Sequence, residues 1–347
     1  MLRFGIFGHL AYRCRIAAFL AVPWDKLIVA CAVWLGSCAV VACASELKAA
    51  SEHEIRFVEV APGVRLEVLD WGGQGNAVVL LAGHGNTAHV FDDFAPSLKD
   101  RFHVLGITRR GFGASSEPSG GYDLATMVSD IAHVLDALNL ERVDLVGHSI
   151  AGDEITRFAL TYPEKVGKLV YLDAAYDRVE EQKLEAKFPK LPRQSEPVHG
   201  SVDQMREFVA RTEIMLPEAE IRATRVFGRD GKYVREVTPD WILRDVANMV
   251  EHPEYGRFRA PMLALYSVYT EPSQLAPRYK EADPGVRRSI EQIFGEWQQF
   301  AEAQRSSLRK SAPGAHVVEI RGANHYLFIS NREEVVREVR EFLNRSN

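Results

Sequence analysis

The residues in this chain most able to do chemistry gather around one serine. Residues 143–152 read VDLVGHSIAG, an apolar strand-like run that enters Gly147-His148-Ser149-Ile150-Ala151-Gly152 and leaves into a helical pattern. Small residues before and after a serine permit a sharp strand-to-helix turn. Such a turn lifts the hydroxyl clear of the sheet edge and sets it at a helix N-terminus, where developing negative charge is favoured. The usual spacing is G-x-S-x-G; here Ala151 holds the last position and Gly152 follows it. Ser149 is therefore the expected nucleophile. A hydroxyl attacks poorly at neutral pH, so a base, an acid that orients the base, and donors for an oxyanion must stand nearby.

The surrounding pattern supplies elements that could hold such a set. Two alternating runs, at 55–60 and 64–71, flank Pro62-Gly63 and predict a hairpin. Apolar runs too short for helices follow at 77–82, 103–107, 143–146, 168–172, 262–266 and 316–320. Runs of this kind suit strands buried on both faces, which implies a parallel sheet. Between them, Leu124, Val128, Ile131, Leu135 and Leu138 recur at helical spacing, as do Val335, Val336, Val339 and Leu343 near the end. Alternating strand and helix predicts an α/β fold with helices covering both faces of the sheet. Residues 177–258 break the alternation. They are charged, punctuated by single prolines, hold helical stretches near 205–215 and 241–250, and show no convincing strand pair. Helices with an apolar stripe need something to cover, so this stretch is expected to form a helical lid inserted before the penultimate strand.

Four motifs in order resemble the α/β-hydrolase superfamily, and the resemblance runs over residues 55–345. They are the Gly147–Gly152 turn, the Gly83-His84-Gly85-Asn86 turn after the third strand, the Arg110-Gly111-Phe112-Gly113-Ala114-Ser115 loop after the fourth, and Gly322-Ala323-Asn324-His325 after the last. The resemblance implies the α/β-hydrolase fold, with His325 as the catalytic base. Of eleven histidines, His325 alone lies between the last expected strand and the final helix. His84, His89 and His148 sit in loops near the same edge and read as structural hydrogen-bonders. The acid has two candidates. Many family members place it after the strand that follows the lid, where this chain offers only Glu271; some branches take it from the preceding strand, which here ends in Asp173. Asp173 is the better choice, Glu271 the alternative, and Asp177 reads as the entry to the lid. By the same resemblance the oxyanion hole comes from the backbone N–H groups of Asn86 and Ile150, and the Asn86 side-chain amide could add to it.

Composition narrows the function. The chain has 347 residues, 42 basic and 47 acidic, for a net charge of −5, which gives no global field for holding nucleic acid. All four cysteines (Cys14, Cys31, Cys38 and Cys43) precede residue 44, so the body offers no disulfide scaffold or cysteine zinc site. Residues 27–44 are uncharged and follow Arg3, Arg13, Arg15 and Lys26, as in a secretory signal ending at Ala42-Cys43-Ala44. Val40-Val41-Ala42-Cys43 also resembles a lipobox, and the run lies at the lower edge of a membrane span. The expected organisation is thus a signal or lipoprotein signal over 1–44, a linker over 45–54 and a hydrolase domain over 55–345. Export to the periplasm or medium is expected, with membrane contact only through that signal or a lipid on Cys43. No P-loop, dinucleotide fingerprint or metal-ligand spacing appears, and no cofactor is implied. A serine nucleophile disfavours the aspartyl mechanism of dehalogenases and epoxide hydrolases of this fold. The expected function is a carboxylesterase-like serine hydrolase acting on small-molecule esters or lactones. The alternatives are carbon–carbon bond hydrolysis, perhydrolysis, or a fold kept only for binding.

Overall fold

The computed structural model describes residues 53–191, 200–212 and 214–345. The expected signal, with its cleavage and lipidation sites, and nearly all of the expected linker lie outside those residues.

Eight strands form one sheet: β1 (Glu54–Ala61), β2 (Val64–Gly72), β3 (Ala77–Leu81), β4 (His103–Ile107), β5 (Val143–His148), β6 (Val166–Leu172), β9 (Met262–Val268) and β10 (His316–Arg321). Their order is β1-β2-β4-β3-β5-β6-β9-β10. The β1–β2 and β2–β4 pairings are antiparallel, and every later pairing is parallel. The expectation of a mostly parallel sheet is borne out.

The short apolar runs are explained by what lies on each side of them. Along β3, Val79 and Leu81 enter one hydrophobic cluster while Val78 and Leu80 enter another on the opposite face. The first cluster is closed by α1 (Leu124–Ala137) and α2 (Ala151–Thr161), which contribute Ile131, Leu135, Ile155 and Phe158. With apolar contacts on both faces, a strand has no polar alternation to show.

Between β6 and β9 come α3 (Arg178–Glu185), α4 (Val202–Thr212), α5 (Glu218–Thr224) and α6 (Asp240–Ala247). The expectation of no strand pair here is wrong. Strands β7 (Arg225–Phe227) and β8 (Tyr233–Glu236) form an antiparallel hairpin, with Gly231 at φ 75° in its turn. Neither strand has a buried residue, so neither carries an apolar period that a sequence could show. After β9 follow α7 (Pro272–Leu275) and the 28-residue α8 (Pro284–Ser311), whose Ala301 and Leu308 join the first cluster. The chain closes with α9 (Leu327–Ser330) and α10 (Arg332–Asn344). Helix α10 packs Val335, Val339 and Leu343 on the second cluster, so helices cover both faces.

Candidate active site

Ser149 directly follows β5, and its φ of 54° lies in the left-handed region that non-glycine residues avoid. Backbone strain of this kind persists only where neighbours dictate it. Here the Ser149 N–H bonds the Leu172 carbonyl of β6 at 3.2 Å, and the Gly152 N–H returns to the Ser149 carbonyl at 2.9 Å. The departure from G-x-S-x-G also finds its reason. A Cβ on Gly152 would lie 2.1 Å from the Ala174 carbonyl oxygen, so in this chain the bare backbone is needed one residue beyond the usual place. Gly147 meets the same limit, at 2.9 Å from the Ala151 carbonyl oxygen.

The structure brings three of the expected residues into one hydrogen-bonded line. His325 Nε2 lies 2.9 Å from Ser149 Oγ, and His325 Nδ1 lies 2.8 Å from Asp173 Oδ2. They come from the ends of β5, β6 and β10. The parallel strands deliver them to the same edge although 176 residues separate Ser149 from His325. Ser149 and Asp173 are buried, while the imidazole is 36% exposed and so reachable by a substrate. Asp173, like Ser149, has a positive φ, 48°, and its N–H is fixed by the Leu265 carbonyl. Burial alone would raise its carboxyl. The His325 ring and the Ser267 hydroxyl and N–H outweigh burial and hold it below the usual carboxylate range. Tyr176 donates to the same carboxylate at 2.8 Å. Glu271, the alternative acid, is exposed at the N-cap of α7, away from this line.

Ser267 and Tyr176 were not foreseen. The signal for Ser267 was the very strand that lacks an acid, because its hydroxyl now points to the acid of the neighbouring strand.

One part of the oxyanion expectation, the added Asn86 side-chain amide, needs a correction. The Asn86 side-chain amide is not free: Nδ2 donates to Glu220 at 2.9 Å, and Oδ1 accepts from the Tyr326 hydroxyl at 3.1 Å. The Asn86 N–H faces the Gly83 carbonyl at 3.3 Å, a long bond. Ile150 is the N-cap of α2, where N–H groups lack partners within the helix. Arg109, from the loop after β4, secures the other wall. It clasps Glu154 of α2 and reaches the carbonyls of Ala82 and Gly83.

The other histidines fall where structural roles put them. His84 Nε2 meets the Leu243 carbonyl of α6. His148 is buried against His325, whose backbone carbonyl it meets, and burial drives it well below its usual range. Asp177 caps α3 and pairs with His252. His53, His89 and Asp92 have the residue types for a metal. Burial pulls His89 down, but Asp92 and Glu67 on its two ring nitrogens raise it to about 10. With His53 also paired to Asp92, the cluster forms an ion network on the second face of β2.

A family model described as the alpha/beta hydrolase fold matches residues 76–210, which include Ser149 and Asp173. Over those residues the chain matches the α/β-hydrolase family. A serine hydrolase-like protein of Homo sapiens is 37% identical over 118 residues, 33% of this chain and 58% of that protein. A 2-hydroxy-6-oxo-2,4-heptadienoate hydrolase of Pseudomonas putida is 35% identical over 125 residues, 35% of this chain and 45% of that one. The chain thus spans less than two thirds of the length of these relatives. Among solved structures, an E-2-(acetamidomethylene)succinate hydrolase superposes with a TM-score of 0.64 at 18% identity, over 85% of this chain and all of that one. The expectation of an α/β-hydrolase is borne out in the fold and, over residues 76–210, in the family match.

Proposed function

We propose that this α/β-hydrolase is a serine hydrolase that transfers the acyl group of a small to medium ester or lactone to water. The carrying observation is the Ser149–His325–Asp173 line, with each contact within 3 Å. His325 Nε2 takes the Ser149 proton as Oγ attacks the carbonyl carbon, and Asp173 supports the imidazolium that forms. The oxyanion settles on the Ile150 N–H and on the turn at Asn86, whose long bond to Gly83 is easily exchanged for a charged acceptor. His325 returns the proton to the leaving alkoxide, leaving an acyl-Ser149. The same base then activates water to release the acid.

The segment between β6 and β9 acts as the lid in this reading. It borders a cavity of about 290 Å³ lined by His84, Asn86, Phe208, Leu216, Leu243 and Tyr326, a size that suits a small to medium group. Residues 1–44 direct export, which N-terminal mass analysis from the native host tests: Ser45 or an acylated Cys43 should be the first residue. Function is tested by a screen of p-nitrophenyl esters of graded chain length, lactones and amides, with Ser149→Ala alongside. Turnover of short esters by the wild type alone is expected. Equal turnover by both proteins would overturn the proposal.

A further inference from the structure

One buried group stands outside the catalytic line yet touches the turn beside it. Glu220 lies on α5 of the insertion and is 0% exposed. Its carboxylate accepts from Asn86 Nδ2 at 2.9 Å, from the Thr87 N–H at 3.1 Å and from the Thr87 hydroxyl. Among the described residues its hydrogen-bond partners are neutral, and the His89 imidazole faces it. A carboxylate buried among neutral donors is a costly residue to keep, and a neutral side chain would pack there at less expense. What its two acceptor oxygens provide is geometry. Two consecutive residues of the His84–Thr87 turn hang from one side chain, and the other end of the Asn86 amide is held by Tyr326, next to His325.

We propose that Glu220 is the positioning residue of the oxyanion turn, coupling the insertion between β6 and β9 to the acyl-transfer site. The inference rests on the serine-hydrolase reading. Glu220 touches no reacting atom. It acts through Asn86 and Thr87, fixing where the turn stands relative to Ser149 Oγ. Oxyanion stabilisation depends steeply on donor position, so loosening the turn should slow the chemical step and leave substrate affinity in place.

The test compares wild type, Glu220→Ala, Glu220→Gln and Glu220→Asp, using steady-state kinetics on a p-nitrophenyl ester that the wild type turns over. The rate of fluorophosphonate labelling is measured on the same samples. Glu220→Ala is expected to lose roughly 10- to 100-fold in kcat with KM within about threefold, and to label more slowly by a similar factor. Glu220→Gln keeps an acceptor at the same distance and should recover most of the loss. Glu220→Asp, one methylene shorter, should fall between. Across pH 5 to 9 the kcat profile of Glu220→Gln should lack one ionisation present in the wild type. A purely structural role would lower the melting temperature and leave the kcat of the folded fraction unchanged. That result, or a loss confined to KM, overturns the proposal. If Glu220→Ala does not fold, unaltered kcat in Glu220→Asp does so instead. Wild type that is never labelled at Ser149 would defeat the serine-hydrolase reading itself; normal labelling in every variant would defeat only the role of Glu220.

Discussion

Asp173 and Glu220 are both carboxylates with no exposed surface, and both accept hydrogen bonds from a hydroxyl and a backbone amide. One ends a strand of the central sheet; the other rides on a seven-residue helix of the insertion. They titrate in opposite directions. Burial opposes ionisation of each, but Asp173 also faces the His325 ring and is held below the usual carboxylate range. Glu220 is hydrogen-bonded, among the described residues, to neutral groups and is pushed up to about 7. Burial and donors alone therefore do not make a catalytic acid; a partner that takes up positive charge does. In the proposed reading the strand ends serve charge transfer and the insertion serves placement.

The largest effects should come from the strand ends. Ser149→Ala and His325→Ala are each expected to cost roughly 10⁶-fold in kcat in protein that remains folded by circular dichroism, because members of such a line act as a unit. Asp173→Asn should cost about 10⁴-fold with KM little changed, while exposed Glu271→Gln stays within about twofold. Measured side by side at one pH, a severe Glu271→Gln defect beside a mild Asp173→Asn one would reverse the assignment of the acid.

The smallest effect bears on stability. The Glu220 carboxyl binds its proton more tightly when folded, near pH 7, than when unfolded, near 4.5. Between those values the folded state holds more protons, so stability falls as pH rises and levels off above about 7. Glu220→Gln has no such step. Relative to wild type it should gain on going from pH 5 to pH 8, by up to about 3 kcal/mol in urea unfolding. A constant difference between the two proteins at both pH values would show that Glu220 does not titrate in this window.

The same contrast explains what the sequence made legible. Ser149, His325 and Asp173 could be found because each follows a short apolar run, and parallel strands deliver such ends to one edge whatever lies between. The elbow was readable through Gly147 and Gly152, although only the Ala174 carbonyl shows why the second glycine is displaced. Glu220 could not be found. In EAEIRAT it looks like any solvated glutamate, and only its contact with a turn more than 130 residues earlier buries it. Ser267 was hidden for a similar reason, as its partner stands on the neighbouring strand. The β7–β8 hairpin was missed because three- and four-residue strands with no buried position leave no period to read.

The claim that Ser149 is a nucleophile activated by His325 is tested most directly by intact-mass and peptide mapping after fluorophosphonate treatment. Wild type should gain one adduct, localised to Ser149, at a rate that Asp173→Asn and His325→Ala reduce by orders of magnitude. An adduct elsewhere, or equal labelling of Ser149 in wild type and His325→Ala, would contradict the account.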